Sequence, residues 1–132
     1  MTSPARPRRE HRRRAIVPLA LLFAVAGVLH FLTPEFFLRI VPPWVPHPGL
    51  AVSLSGIAEL AGGIGLLVPA TRIIAGWGLI ALLLAVFPAN VYMLQQAMRE
   101  GASATALAVL WIRLPLQPLL IWWVWKAGIR HG

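Results

Sequence analysis

The sequence predicts an all-α protein, a polytopic membrane four-helix bundle with a short interfacial helix and a Pro-rich loop between helices 1 and 2. Three observations lead there. Residues 15–32, 50–68, 73–94 and 104–125 are apolar stretches, each close to the roughly 20 residues that cross a hydrocarbon core as a helix. Of the 132 residues, 58% are hydrophobic and 12% charged, whereas charged residues make up about a quarter of a soluble domain. The positive charge is also concentrated: Arg6, Arg8, Arg9, Arg12, Arg13 and Arg14 all precede the first apolar stretch. The chain divides into a basic cytoplasmic arm (1–14), the transmembrane bundle (15–126) and a cytoplasmic tail (127–132).

The first span is expected to begin near Pro18, because proline is tolerated in a first helical turn, and to end at Thr33. Thr33 then heads a short helix, with Pro34 at its first position and Glu35 near the positive end of its dipole. Phe36, Phe37, Leu38, Ile40 and Val41 make that helix apolar enough to lie in the membrane surface, and Pro42-Pro43 stop it. Trp44-Val45-Pro46-His47-Pro48 is too rich in proline for regular structure, and Trp44 suits the headgroup layer. The whole segment 33–49 reads as a lid over the outer mouth of the bundle.

In the second span Ser55, Ala58, Gly62 and Gly65 form a stripe of small residues where a neighbouring helix can approach closely. The turn Pro69-Ala70-Thr71-Arg72 is short enough to force an antiparallel hairpin. Ala81, Ala85 and Ala89 make a second small stripe on the third span, where Pro88 frees the carbonyl of Leu84. In the fourth span Pro115 and Pro118 free the carbonyls of Trp111 and Leu114, which need partners from the bundle in lipid. Trp122, Trp123 and Trp125 read as interfacial anchors, and Trp111 lies deeper.

The formal charge of +8 points to anionic lipid rather than nucleic acid, because the cations sit beside the spans. Each such Lys or Arg contributes about 1 kcal/mol at an anionic surface. With an even number of crossings, Arg72, Lys126 and Arg130 join the arm on one side, while Arg39 and Arg99 fall on the other. The positive-inside rule then puts both termini in the cytoplasm. No small-x-small site follows the first apolar run, so an uncleaved signal anchor is expected. The absence of cysteine removes disulfides, thiol redox relays, thiolate metal sites and covalently attached c-type haem.

Two ions lie inside apolar spans, Glu59 and Arg113. A charge at the centre of a membrane helix costs about 2.5–3.5 kcal/mol on insertion scales, so both should face the bundle interior. At 1.5 Å rise per residue both lie about 14 Å below the outer ends of their spans, which makes a Glu59–Arg113 ion pair the natural expectation. Gln117 is one turn deeper on the face of Arg113. His30 and Asn90 lie about 3 Å and 6 Å from the upper ends of their own spans. Together His30, Glu59, Asn90, Arg113 and Gln117 trace a polar path from the outer surface to mid-membrane, suited to ligand binding or proton relay. Metal binding is not expected, since His30, Glu59 and His47 lack ligand spacing.

Five blocks in order resemble the DoxX-like family of bacterial membrane proteins: Gly27-Val28-Leu29-His30-Phe31-Leu32-Thr33-Pro34, Ile40-Val41-Pro42-Pro43-Trp44-Val45-Pro46, Ser55-Gly56-Ile57-Ala58-Glu59-Leu60-Ala61-Gly62-Gly63, Phe87-Pro88-Ala89-Asn90-Val91-Tyr92-Met93 and Arg113-Leu114-Pro115-Leu116-Gln117. The resemblance runs from Gly27 to Gln117. It implies a four-helix protein of the bacterial inner membrane, related to a subunit of a thiosulfate:quinone oxidoreductase and to proteins linked with redox stress complexes. It carries no established catalytic residues across to this chain, and the missing cysteines exclude a thiol-based version of the chemistry.

The leading expectation is a quinone- or small-ligand-binding subunit of a redox system. Quinone would be a borrowed cofactor, and none is covalently bound. Partners would be the lipid bilayer and a redox or other membrane protein, with no nucleic acid; a homo-oligomer is compatible with the pattern. A non-catalytic membrane scaffold subunit is the first alternative, its polar residues serving only to lock helices. A proton-linked carrier of a small solute is the second, and would need dimerisation because four spans are few. The residues leave open whether the chain is itself an enzyme.

Overall fold

A computed structural model describes residues 6–39 and 41–130, with side chains from Glu10 onward. The first five residues of the arm, Ile40 and the last two residues of the tail lie outside the described residues. The chain is helical, with no strand among the described residues, and four of its helices are long and apolar enough to cross a membrane. Helix α1 spans Arg6–Leu32, α2 Pro34–Arg39, α3 Pro48–Leu67, α4 Arg72–Arg99 and α5 Ala104–Val124, and α5 runs directly into a π-helical turn, Trp125–Ile129.

Three local expectations are corrected. Helix α1 does not start near Pro18 but runs through it from Arg6. Arginine is a good helix former, and Arg14 bonds Glu10 one turn earlier at 2.8 Å. Pro18 removes only the bond to the carbonyl of Arg14, and the next carbonyl, Ala15 O, accepts from Trp123 Nε1 at 3.1 Å. Thr33 does not cap α2: its hydroxyl donates backward to Leu29 O at 2.8 Å and so finishes α1 instead. Helix α4 passes residue 94 and continues to Arg99.

Polar side chains deal with the free backbone groups at the α3–α4 turn. Thr71 Oγ1 donates to Gly65 O at 2.9 Å, and Arg72 Nε donates to Leu66 O at 2.8 Å. At the other end of the bundle His47, held between Pro46 and Pro48, adopts φ 50° and starts α3 from a left-handed conformation, which histidine tolerates better than most non-glycine residues. Ser103 caps α5, its Oγ accepting from Ala106 N at 3.2 Å.

Helix α1 packs most extensively against α3, α3 against α4, and α4 against α5, while α5 makes scarcely any contact with α1 or α3. The α1–α3 contact is backbone to backbone. A Cβ on Gly27 would lie 2.8 Å from Gly56 O and from Leu60 N, and one on Gly63 would lie 2.8 Å from Ala20 O. The expected small stripe of α3 is therefore split. Gly62 and Gly65 face Leu79 and Ala75 of α4, Ser55 is half-buried and Ala58 is exposed, while the glycines that face α1, Gly56 and Gly63, lie outside that stripe. The buried core gathers Ile16, Leu19, Ala20, Phe23, Leu66, Leu79, Ile80, Leu83, Val124 and Ala127 at the end where the arm enters. There the π-helical turn folds back onto α4 and α1, Ile129 lying over Gly76 and Gly128 over Leu66.

The same substitution should have opposite signs on two faces of the bundle. Gly63→Ala drives a methyl into the backbone of α1 and is expected to cost about 1–3 kcal/mol. Gly78→Ala, where nothing lies within 4 Å of the new Cβ, should stabilise α4 by about 0.5–1 kcal/mol. Unfolding of the purified chain in detergent micelles, followed by tryptophan fluorescence, checks both.

Candidate functional site

Above the core, towards the segment 33–47, the helices enclose a cavity of about 530 Å³. Ligand pockets range from about 300 to 1,000 Å³. Its wall is mostly apolar, with Phe23 and Ala26 from α1, Val52 from α3, and Leu83 and Val86 from α4. Ala85 and Ala89, expected to be a packing stripe, face the cavity, and their short side chains leave it room. Phe37, Val41, Pro42, Trp44 and Val45 line it from the lid segment.

All five residues singled out in the sequence line this one cavity: His30, Glu59, Asn90, Arg113 and Gln117. His30, Asn90 and Gln117 are buried, and Arg113 is half-buried. The expected pairing within the set is corrected. Glu59 sits against His30, with Nδ1 to Oε2 at 3.2 Å, and no ion pair joins it to Arg113 among the described residues. The reason lies in the register of α1 on α3. The glycine contact sets His30 level with Gly56, one turn from Glu59.

His30 Nδ1 lies 2.8 Å from Ala26 O; a carbonyl only accepts, so Nδ1 carries a proton and spends it there. The ring face stacks on Phe37 of α2, with centroids 3.8 Å apart and planes at 17°, and Phe36 meets Phe37 edge-on at 5.3 Å. The imidazole is thus fixed on one side by its own helix and on another by the lid. Phe37 was read in the sequence only as membrane-surface apolar, because nothing in residue spacing reveals a stack between two helices.

Two buried oxygens in the cavity wall have no hydrogen-bond partner among the described residues, Glu59 Oε2 and Gln117 Oε1. His30 Nδ1 donates to Ala26 O, and Glu59 Oε2, 3.2 Å from Nδ1, is left without an aligned donor among the described residues. Leaving a buried acceptor unsatisfied costs about 1–3 kcal/mol, more when it is charged. Arg113 and Asn90 supply donors on the same wall. On the α1 and α5 sides Leu22 and Leu116 line the cavity while staying 47% and 45% exposed. Among the described residues no group of three His, Cys, Asp or Glu converges as a metal site.

A double-mutant cycle should separate the two pairings. His30→Ala with Glu59→Gln is expected to show a coupling of about 0.5–3 kcal/mol, as for residues in contact. Arg113→Ala with Glu59→Gln should couple more weakly, and equal couplings measured by detergent unfolding would contradict the geometry.

The chain belongs to the family described as Domain of unknown function (DUF8561), whose family model matches residues 19–128, from the core of α1 to the π-helical turn. No curated protein and no solved structure matches it.

Proposed function

We propose that this family member is a multi-pass protein of the bacterial inner membrane, with both termini in the cytoplasm, that binds a small, largely apolar molecule carrying polar oxygens, of which quinone and its reduced form are the leading example. The observation that carries the reading is the pair of unsatisfied buried oxygens, Glu59 Oε2 and Gln117 Oε1, in the wall of an otherwise apolar cavity. A hydroxyl on the ligand would donate to them, and a carbonyl would accept from Arg113 or Asn90. Leu22 and Leu116, which line the cavity and stay partly exposed, would bring acyl chains to its wall, which suits a molecule dissolved in the bilayer. The excess of arginine and lysine on the arm side supports the orientation.

The resemblance of five sequence blocks to DoxX-like proteins supports the redox assignment and the expectation of a membrane partner. Within such a system this chain would hold the quinone while a partner moves the electrons, since it has no cysteine.

A photoreactive quinone analogue tests the reading on the purified chain in detergent. Glu59→Gln and Ala89→Phe, one removing the charge and the other filling the space, are each expected to lower specific labelling at least about tenfold, the order of one lost hydrogen bond to a charged group. Ala58→Phe, on the exposed face of α3, should label like the parent chain. Labelling that survives both cavity substitutions in chains that still melt cooperatively would overturn the proposal.

A further inference from the structure

Donors and acceptors are not balanced in the cavity wall. Among the described residues, the two buried atoms of that wall without a hydrogen-bond partner, Glu59 Oε2 and Gln117 Oε1, are both oxygens that accept. Arg113 and Asn90 carry donors on the same wall, yet none of their nitrogens is buried without a partner. The nitrogen that does come close to the carboxylate, His30 Nδ1 at 3.2 Å, donates to Ala26 O at 2.8 Å. Both oxygens lie on helices described throughout, α3 from Pro48 to Leu67 and α5 from Ala104 to Val124. Those two helices scarcely touch, so the oxygens stand apart.

A buried acceptor to which nothing donates bears its full desolvation cost, the more so when it is charged. Only a donor relieves it. A ring carbonyl has no hydrogen to offer, whereas a ring hydroxyl offers one and keeps its lone pairs, so it can donate to Glu59 or Gln117 and still accept from Arg113 or Asn90. The dicarbonyl form of a quinone-like ring therefore relieves neither oxygen, and what it gains at Arg113 or Asn90 is open to a hydroxyl as well. Each hydroxyl has a single hydrogen. Serving both oxygens takes two hydroxyls.

We infer that the cavity selects the dihydroxy form of its ligand over the dicarbonyl form, with Glu59 and Gln117 as the residues that set the preference. The inference rests on the reading that the cavity binds a quinone-like molecule, and adds which of its two states is held more tightly.

The test uses the full chain, purified in maltoside micelles and kept free of oxygen, with the photoreactive quinone analogue as reporter. Three competitors share one ring: a short-chain alkyl benzoquinone, its hydroquinone, and the dimethyl ether of that hydroquinone, which keeps both oxygens but has no hydrogen on them. The hydroquinone is expected to displace the reporter at a concentration at least about tenfold below that of the benzoquinone, the equivalent of one hydrogen bond to a buried acceptor. The dimethyl ether should compete no better than the benzoquinone. Gln117→Met keeps the length of the side chain and removes its carbonyl, and should narrow the gap between hydroquinone and benzoquinone at least about threefold. Equal competition by the two on the wild type overturns the inference and leaves the cavity reading standing, while no displacement by any of the three overturns both. A gap unchanged in Gln117→Met overturns the part given to Gln117. Should that variant fail to fold, the wild type still decides, because a dimethyl ether that competes as well as the hydroquinone overturns the inference by itself.

Discussion

The architecture depends on the backbone contact between α1 and α3. Helices this apolar on every side gain little from burying one face rather than another, so their association is decided by how closely they can approach. Gly27, Gly56 and Gly63 lack a Cβ where the two helices come closest, and dispersion contacts across the seam become short. That closeness also fixes height. With Gly27 against Gly56 and Leu60, His30 has no choice but to lie beside Glu59, and the polar wall of the cavity follows from a register set by residues that carry no chemistry.

The same contact accounts for the empty space. Helix α1 is drawn tightly to α3, and α5 packs on α4 but reaches α1 mainly through the π-helical turn and the Trp123–Ala15 bond. The bundle is therefore closed and well packed at the arm end, where the core residues gather, and parted at the lid end. Small side chains at Ala26, Ser55, Ala85 and Ala89 keep the parted end from filling. The aromatic lid is tied to the cavity wall by the His30–Phe37 stack, so a movement of α2 would reach the imidazole directly, and through it the carboxylate of Glu59.

Much of this was legible in the residues, and what was not has a physical cause. The four spans, the hairpin at 69–72 and the membership of all five polar residues in one interior surface follow from hydropathy and from the cost of an ion in an apolar span. Helix ends were misjudged wherever polarity, not helix propensity, was used to end a helix: Arg6 to Arg14 continue α1, and Gln95 to Arg99 continue α4. The pairing of Glu59 was misjudged because equal depth was computed from span ends, whereas depth is set by which glycines touch. Gly56 stood in plain view beside Glu59, but a stripe read on one helix does not say which neighbour it faces. The stack of Phe37 on His30 left no trace in spacing at all.

The state of Glu59 bears on whether its role is structural or chemical. A buried ion pair kept only to lock helices needs its remaining lone pairs satisfied, since the desolvation of two charges is otherwise not repaid. Here the histidine proton goes to Ala26 O, the arginine on the same wall makes no pair with the carboxylate, and Oε2 has no donor. The closest approaches of α1 and α3 are made at Gly27, Gly56 and Gly63 and not at this carboxylate. On the proposed reading, a carboxylate that bears the cost of burial with one oxygen unsatisfied is matched by a donor arriving in the cavity. That argument separates Glu59 from Thr71 and Arg72, whose bonds to Gly65 and Leu66 complete the end of α3.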